Sequence, residues 1–330
     1  MKFSFVIPAY KSEKTILNCL KGIFNQTVLD EHTYEIIIVL CNPSTELECL
    51  IPNKSNIVTL KTNKKNRSLS RNLGSDYSKG EYIIFVDSDV YLFPNWIRYQ
   101  IKIFENKLVA ASQGQFIWDQ NSNTKVIQSA FKPTIQTTLF SEYGPIIVTG
   151  ACIYRSSIFK AIGQFNNSIL WNEDLNLSIK AFNLGYALAY RHSAIAVLLN
   201  EKYSFLKCIK RGFKSGFYTG KLNKYYYNTF KFRYIFSSYM KRLTYNLKLV
   251  LQLNNSIFEI QLALINVSKL IGYLASIISF SNSVYDFPKI TNTYKGIKNE
   301  RKGILQFGLL YINGKRSLYN PNNRELKWMK

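Results

Sequence analysis

The sequence predicts an α/β protein: a mostly parallel central sheet with flanking helices, followed by a mainly helical, basic C-terminal region. Three observations carry that prediction. Short β-branched runs alternate with amphipathic stretches through the first 90 residues, which is the pattern of strand–helix–strand units with right-handed crossovers. The runs are too continuously apolar for strands with one wet face, so helices are expected on both sides of the sheet. After about residue 200 the composition shifts to Lys, Arg, Tyr and Phe.

The elements follow in order. FSFVIP (3–8) reads as a buried strand, and Ile16, Leu17, Leu20, Ile23 and Phe24 recur at helical spacing between Ser12 and Asn25. YEIIIVL (34–40) is a second strand and NIVTLKT (56–62) a weaker third. SLSRNLGSDYS (68–78) reads as a helix ending at Lys79-Gly80, and EYIIFVDSD (81–89) as the clearest strand of all. A helix is expected around Trp96–Asn106, and a polar loop, DQNSNTK (119–125), offers a possible boundary. IIVTGACIYR (146–155) reads as a strand containing a glycine, and SSIFKAIGQF as a short helix closed by Gly163. From Asp174 an amphipathic helix runs to a C-cap at Gly185. The division is placed at 220, giving 1–220 and 221–330.

Composition narrows the function. The chain has 330 residues, 47% hydrophobic, and a formal charge of +23. It is folded, and it is drawn to phosphates, anionic lipid or acidic polymers. Five cysteines without a C-x-x-C spacing argue against a disulfide framework or a zinc knuckle, and two histidines exclude a His-rich metal site. The start, MKFSFVIPAYKSEK, lacks the features of a signal peptide, so a cytoplasmic location is expected. From 201 to 250, twelve Lys or Arg face one acid, Glu201. In SIFEIQLALINVSKLIGYLASIISF (256–280), Glu259, Asn266, Lys269, Tyr273 and Ser276 share one stripe, which suits a helix lying in the plane of a membrane better than one crossing it.

The most informative stretch is FVDSDVYLFP (85–94). Strands avoid Asp, and a buried carboxylate needs a partner. Asp87 and Asp89 fall at the carboxyl end of a strand, where open α/β sheets bind ligands.

Taken together, FVIPAY, NRSLSRNLGSDYSKGEYIIFVDSD, VTGACIYR and WNEDLNLSIKAFNLGY resemble, in order and spacing, the inverting family 2 glycosyltransferases of the GT-A (Rossmann-like) fold, including those that build bacterial cell-surface polysaccharides. The likeness covers roughly residues 3–220. It implies transfer of a sugar from a nucleoside-diphosphate sugar to a glycan or lipid-linked acceptor. It further implies a divalent metal, Mn²⁺ or Mg²⁺, held at Asp89 with Asp87 near the ribose and the metal shell, and Ser88 between them beside the donor. Asp174, with Glu173 beside it, matches the family's general base. Arg71 and Asn72 match the helix that borders the nucleotide. Pro8, Ala9 and Tyr10 match the loop after the first strand, and Gly150 and Ala151 the small-residue site beneath donor and acceptor.

Each residue also has a plainer reading. The D-S-D could merely cap a turn, Asp174 a helix start, and Arg71 could pair with Asp76 on its own helix. The chain also departs from the family. Acids usually follow the second strand, where this sequence has Leu40, Cys41 and Asn42; Asn42 remains able to hydrogen-bond a base edge. A histidine that some members carry after the last core strand is replaced by Asn200 and Glu201. The leading expectation is a peripheral enzyme on the inner face of an anionic cell membrane, with no specific nucleic acid as partner. The competing classes are a non-catalytic relative or basic nucleic-acid binder, and a nucleotidyltransferase; the glycine-rich phosphate loop usual near the first strand of the latter is missing from FVIPAYKSEK.

Overall fold

The computed structural model describes residues 3–29, 32–118, 140–141, 144–199, 204–227, 237, 240, 244, 257–278, 308–312, 315–320 and 325–328. It divides into two compact units, Met1–Asn200 with Ile304–Lys330, and Glu201–Gly303.

In the first unit the strands are β1 (Phe3–Ala9), β2 (Tyr34–Cys41), β3 (Ile57–Thr62), β4 (Tyr82–Val86), β5 (Val90–Leu92), β6 (Val109–Trp118), the short pair β7 (Phe140–Ser141) and β8 (Gly144–Pro145), β9 (Ala151–Arg155) and β10 (Ala187–Leu198). Three more, β11 (Gly308–Ile312), β12 (Lys315–Asn320) and β13 (Glu325–Trp328), follow at the C-terminal end. All but β7 and β8 join one sheet in the order β13-β12-β11-β10-β6-β9-β4-β1-β2-β3, with β5 on β10.

Strands β3, β2, β1 and β4 are parallel, in register Ile36↔Ile57, Phe3↔Tyr34 and Phe3↔Tyr82. Their carboxyl ends, at Ala9, Cys41, Thr62 and Val86, therefore open on one side. The expectation of a mostly parallel sheet needs correction, because the sheet is mixed. β9 runs antiparallel to both β4 and β6, β5 antiparallel to β10, and β11–β13 form an antiparallel meander. A strand buried on both faces reads as the same apolar run whichever way it points, so direction was not in the pattern. Beyond residue 300, β11 pairs with β10 and extends the sheet.

Helices cover both faces, as the continuous apolar runs require. Phe3, Phe5 and Ile7 of β1 turn to one core with Ile16, Leu20 and Ile23 of the helix Ile16–Phe24 and with the fully buried Trp96. Val6, between them, turns to the other core with Phe85, Phe159, Leu177 and Ala181. This alternation is the period of two of a strand. Gly163 and Gly185, expected to close helices, both have φ +83, the left-handed C-terminal conformation.

The second unit contains the helices Phe205–Tyr227 and Ile257–Ile278. No helix among the described residues is long and apolar enough to cross a membrane. The loop at 119–125 and much of the basic stretch from 228 to 256 lie outside the described residues.

One glycine sets how closely a helix approaches the sheet. Gly74, in the helix Arg67–Tyr77, lies on β1 and β2 so that a Cβ there would run into Val6 Cγ1 and lie 3.2 Å from Val39 Cγ2. Gly74→Ala is expected to destabilise the fold by about 1–3 kcal/mol through overpacking. In a urea titration the midpoint should fall with the slope unchanged.

Candidate active site

Strand β4 stops at Val86, three residues before the end read from the sequence. The reason is a tight turn: Val90 N donates to Asp87 O at 3.0 Å, closing Asp87–Val90, and β5 starts at once. The D-S-D pair thus sits on a turn at the carboxyl end of β4. Its backbone is tied on several sides, with Asp87 N donating to Gly150 O (2.9 Å) and Leu199 N to Asp89 O (2.6 Å). Behind it, the Cys19 thiol donates to Asp87 O at 3.6 Å. Burial, then the charges of Asp89 and Asp87, push that thiol's pKa up, so Cys19 stays protonated. Ser88 is buried, and Asp87 and Asp89 are partly exposed.

The strand expected from 146 begins only at Ala151, which is buried and paired with Val86. Residues up to Gly150 form an irregular approach whose last carbonyl binds the turn. A Cβ at Gly150 would lie 3.5 Å from Asp87 Oδ2 and 3.2 Å from Phe116 Cζ, so glycine keeps space beside that carboxylate.

The residue that organises these parts is Arg71. Its helix starts at the cap Asn66, whose Oδ1 accepts from Leu69 N at 3.2 Å. Arg71 is 1% exposed; Nη2 donates to Asp87 Oδ1 at 2.7 Å and Nη1 to Glu173 Oε1 at 2.8 Å. Its Nε is buried with no hydrogen-bond partner, and its guanidinium carbon lies 5.6 Å from the Phe165 ring centroid. Burial disfavours the guanidinium charge, but Asp87 and Glu173 outweigh it and raise its pKa. The pairing with Asp76 considered from the sequence is not made; Asp76 accepts from Gln164 Nε2 instead, at 2.7 Å. The neighbouring Asn72 also turns inward. Its Nδ2 donates to Phe165 O (2.9 Å) and its Oδ1 accepts from Phe165 N (3.1 Å), which fixes the loop leading to the next acids.

Those acids open the helix Glu173–Asn183. Asn172 before it has φ 63, a left-handed conformation that Asn tolerates better than most side chains. Glu173 is committed to Arg71. Asp174, one residue on, accepts from Leu175 N at 2.8 Å and remains partly exposed. Its carboxyl is pushed up to about 7, first by burial and then by the charge of Glu173, with Asp87 adding to it and Arg71 opposing. The helix is braced by Ser178, whose hydroxyl donates to Asp174 O (2.7 Å) and accepts from Ile147 N (2.9 Å). Asp87, Glu173 and Asp174 therefore gather around one guanidinium, although the chain separates them by some ninety residues.

A second cluster lies at the carboxyl ends of β1–β3. Pro8 is paired within β1 and Ala9 is 1% exposed, so Tyr10 is the member of that trio that projects beyond the strand. Lys65 Nζ lies 4.1 Å and Lys11 Nζ 5.7 Å from its ring centroid. The Tyr10 pKa is lowered, chiefly by its hydrogen bond with Lys65. Asn42, with φ 43, donates from Nδ2 to Asn63 O at 3.3 Å. Leu40 is core, and the Cys41 thiol donates to Lys64 O at 3.5 Å. Ser44 Oγ donates to Glu13 Oε1 at 2.6 Å and links the loops after β1 and β2. Lys65, Glu13 and Ser44 were not singled out from the sequence. Asn200 and Glu201 lie outside the described residues. Among the described residues, no group of three His, Cys, Asp or Glu side chains could hold a metal ion.

Comparison with known proteins gives this geometry a context. Residues 4–163 match the family model of glycosyl transferase family 2. A poly(ribitol-phosphate) beta-glucosyltransferase of Bacillus spizizenii is 41% identical over 99 residues, 28% of this chain and 15% of that protein. The poly(ribitol-phosphate) beta-N-acetylglucosaminyltransferase TarS of Staphylococcus aureus is 28% identical over 192 residues, 53% of this chain and 30% of its own length. The chain thus spans less than a third of the length of either relative. Among solved structures, the mannosyltransferase PcManGT of Pyrobaculum calidifontis, in complex with GDP-Man and Mn²⁺, has a TM-score of 0.57 at 12% identity, covering 82% of this chain and 86% of that one. At that identity the likeness is one of fold.

Replacing Arg71 with Met keeps the side-chain volume but strands two carboxylates. Arg71→Met is expected to lower stability at pH 8 by about 3–5 kcal/mol, and chemical denaturation measures it. Adding Asp87→Asn and Glu173→Gln should recover most of the loss.

Proposed function

The chain carries a family 2 glycosyltransferase domain over residues 4–163, and on that premise we propose that it is an inverting sugar transferase using a nucleoside-diphosphate sugar. The observation that carries the reading is the double ion pair of Arg71, which binds the D-S-D turn and the E-D helix start into one acidic site at the carboxyl end of β4. That acidity is local in a chain of formal charge +23.

Inversion by a single displacement needs a base that removes the acceptor hydroxyl's proton as its oxygen attacks. Asp174 suits the task. With a pKa near 7 it is a far stronger base than a solvated aspartate, and it is mostly ionised at mildly alkaline pH. Glu173 and Arg71 act through it: the first keeps a negative charge close by, and the second holds both carboxylate-bearing segments in place. The D-S-D turn fits a hard divalent ion only as an open site. It offers two carboxylates, one with an oxygen already bonded to Arg71, and the remaining oxygens would come from the donor diphosphate. Bound there, Mn²⁺ or Mg²⁺ would offset the charge on the leaving diphosphate. The GT-A neighbour solved with GDP-Man and Mn²⁺ supports a site of this type.

The donor's nucleoside is assigned to the cluster of Tyr10, Asn42 and Lys65, with Gly150 and Ala151 flooring the sugar end. Lys65 and Lys11 beside Tyr10 favour the phosphate-bearing side of the nucleotide. As acceptor we assign a glycan or lipid-linked chain; the names of the two relatives, both acting on poly(ribitol-phosphate), and the basic charge together support a polyanionic one. An acceptor presented at the cytoplasmic face of an anionic membrane suits the same charge.

Purified protein should release nucleoside diphosphate from one sugar nucleotide of a panel, with Mn²⁺ or Mg²⁺ and acceptor present. Asp174→Asn should lower turnover by about 10²–10⁴-fold, and Asp89→Ala should abolish the metal dependence. Wild-type turnover should fall on the acid side of about pH 7 as Asp174 takes up its proton. Because that folded pKa lies above the ordinary 3.8, Asp174 favours folding fully below about pH 4 and loses this as pH rises through 7. Asp174→Asn should therefore be more stable than wild type at pH 8, which separates lost chemistry from lost structure. Turnover within threefold of wild type in Asp174→Asn would refute the assigned base.

A further inference from the structure

The two helices of the helical unit meet through small residues. The helices Phe205–Tyr227 and Ile257–Ile278 run side by side in the same direction, Gly212 meeting Ile265, Gly216 meeting Lys269, and Gly220 meeting Ser276. At each of these glycines a Cβ would collide with the facing helix, and Gly272 stands likewise against Phe213 O. The buried seam is completed by small and polar residues, among them Thr219, Ser268 and Ser276, whose hydroxyl donates to Tyr273 O at 2.6 Å. Of the polar stripe read from the sequence, Tyr273 and Ser276 are thus turned inward, not to solvent.

Leu222 and Tyr273 are buried, whereas other large apolar side chains are exposed or half-buried. On the first helix Leu206 (68% exposed), Ile209, Phe213 and the half-buried Phe217 form one stripe. On the second, Ile260, Leu264, Val267, Ile271 (53% exposed) and Leu274 form another, at spacings of four and three residues. At 3.6 residues per turn both stripes are offset from the seam toward the same side of the pair. Next to the first stripe runs a basic flank of Lys207, Lys210, Lys214 and Lys221, with Lys221 Nζ 4.6 Å from the Phe217 ring centroid.

We propose that this two-helix face seats in the plane of an anionic lipid surface, its apolar stripes in the acyl boundary and its lysines at the headgroups. Small-residue seams that let backbones touch are how helices associate where apolar burial between them drives nothing, as in lipid. A soluble pair would place its large apolar residues in the seam. Among the described residues no helix has the length and apolarity to cross, and the exposed apolar stripes beside lysines suit an in-plane seat. The basic flank selects anionic headgroups over neutral ones. The heptad-like spacing on the second helix makes a second copy of this chain the rival occupant, but such a contact would draw on the apolar stripe and give no role to the exposed Lys210 and Lys214 beside the first one.

The deepened claim concerns the membrane contact alone and rests on none of the active-site assignments. The 330-residue chain is mixed with vesicles of phosphatidylcholine, or of phosphatidylcholine with 30% phosphatidylglycerol, and sedimented. Wild type should bind the anionic vesicles at least tenfold more tightly than the neutral ones, and the difference should shrink at 0.5 M salt. Leu206→Glu with Ile271→Glu, both on the exposed face, should weaken anionic-vesicle binding at least tenfold with an unchanged circular dichroism spectrum. Lys210→Glu with Lys214→Glu should abolish the preference for anionic lipid. Asp174→Asn should bind as wild type does, so failure of the catalytic reading leaves this result standing. Equal binding by wild type and Leu206→Glu/Ile271→Glu overturns the proposal. So does a wild-type dimer in light scattering that the same pair of substitutions dissociates while vesicle binding is nil.

Discussion

A single buried cation determines where the acids of this protein can be. Arg71 is held between Asp87 and Glu173 in a nearly dry setting, where an ionised group without partners is costly by several kcal/mol. None of the three charges can leave without exposing the other two to that penalty. The contact therefore locks three pieces of backbone, the helix Arg67–Tyr77, the Asp87–Val90 turn and the start of Glu173–Asn183, into one arrangement. Such a pair is weak evidence for net stability and good evidence for a specified geometry. It also leaves an imbalance: one guanidinium faces Asp87, Glu173 and Asp174, and the excess negative charge reinforces the effect of burial on Asp174.

The parallel half of the sheet was legible because its strands and helices are local patterns. β1, β2, β3 and the helix over 67–77 lie within two residues of their expected limits, and the helix closures at Gly163 and Gly185 followed from a residue type suited to left-handed backbone. The antiparallel strands were not legible in the same way. β9's direction, β10's length and the joining of β11 to β10 are set by pairings distant along the chain, and an apolar run carries no arrow.

The site shows the same division. Its carboxylates stood out because Asp is out of place at the end of an apolar run, and because acids at a helix start are read locally. The role of Arg71 was invisible for the opposite reason. The nearest acid on its own helix, Asp76, is five residues away, just past the i,i+4 spacing, whereas its true partners lie 16 and 102 residues on. Asn72 likewise had a remote destination, the backbone of Phe165. At the other end, Leu40, Cys41 and Asn42 at the end of β2 were plain to read, but not that Lys65, after β3, approaches Tyr10.

The sheet's outermost strand on the parallel side, β3, pairs with β2 and ends the order there. Its free row of amides and carbonyls is the kind of template on which another molecule's strand could grow into an aggregate. The strand is only six residues long, its Thr59 and Lys61 are exposed, and Lys61 is drawn to Glu48 at 2.7 Å. Shortness and an outward ammonium group make that border a poor seed, so a concentrated solution of this chain is guarded against edge-to-edge polymerisation at one rim of its fold by a lysine.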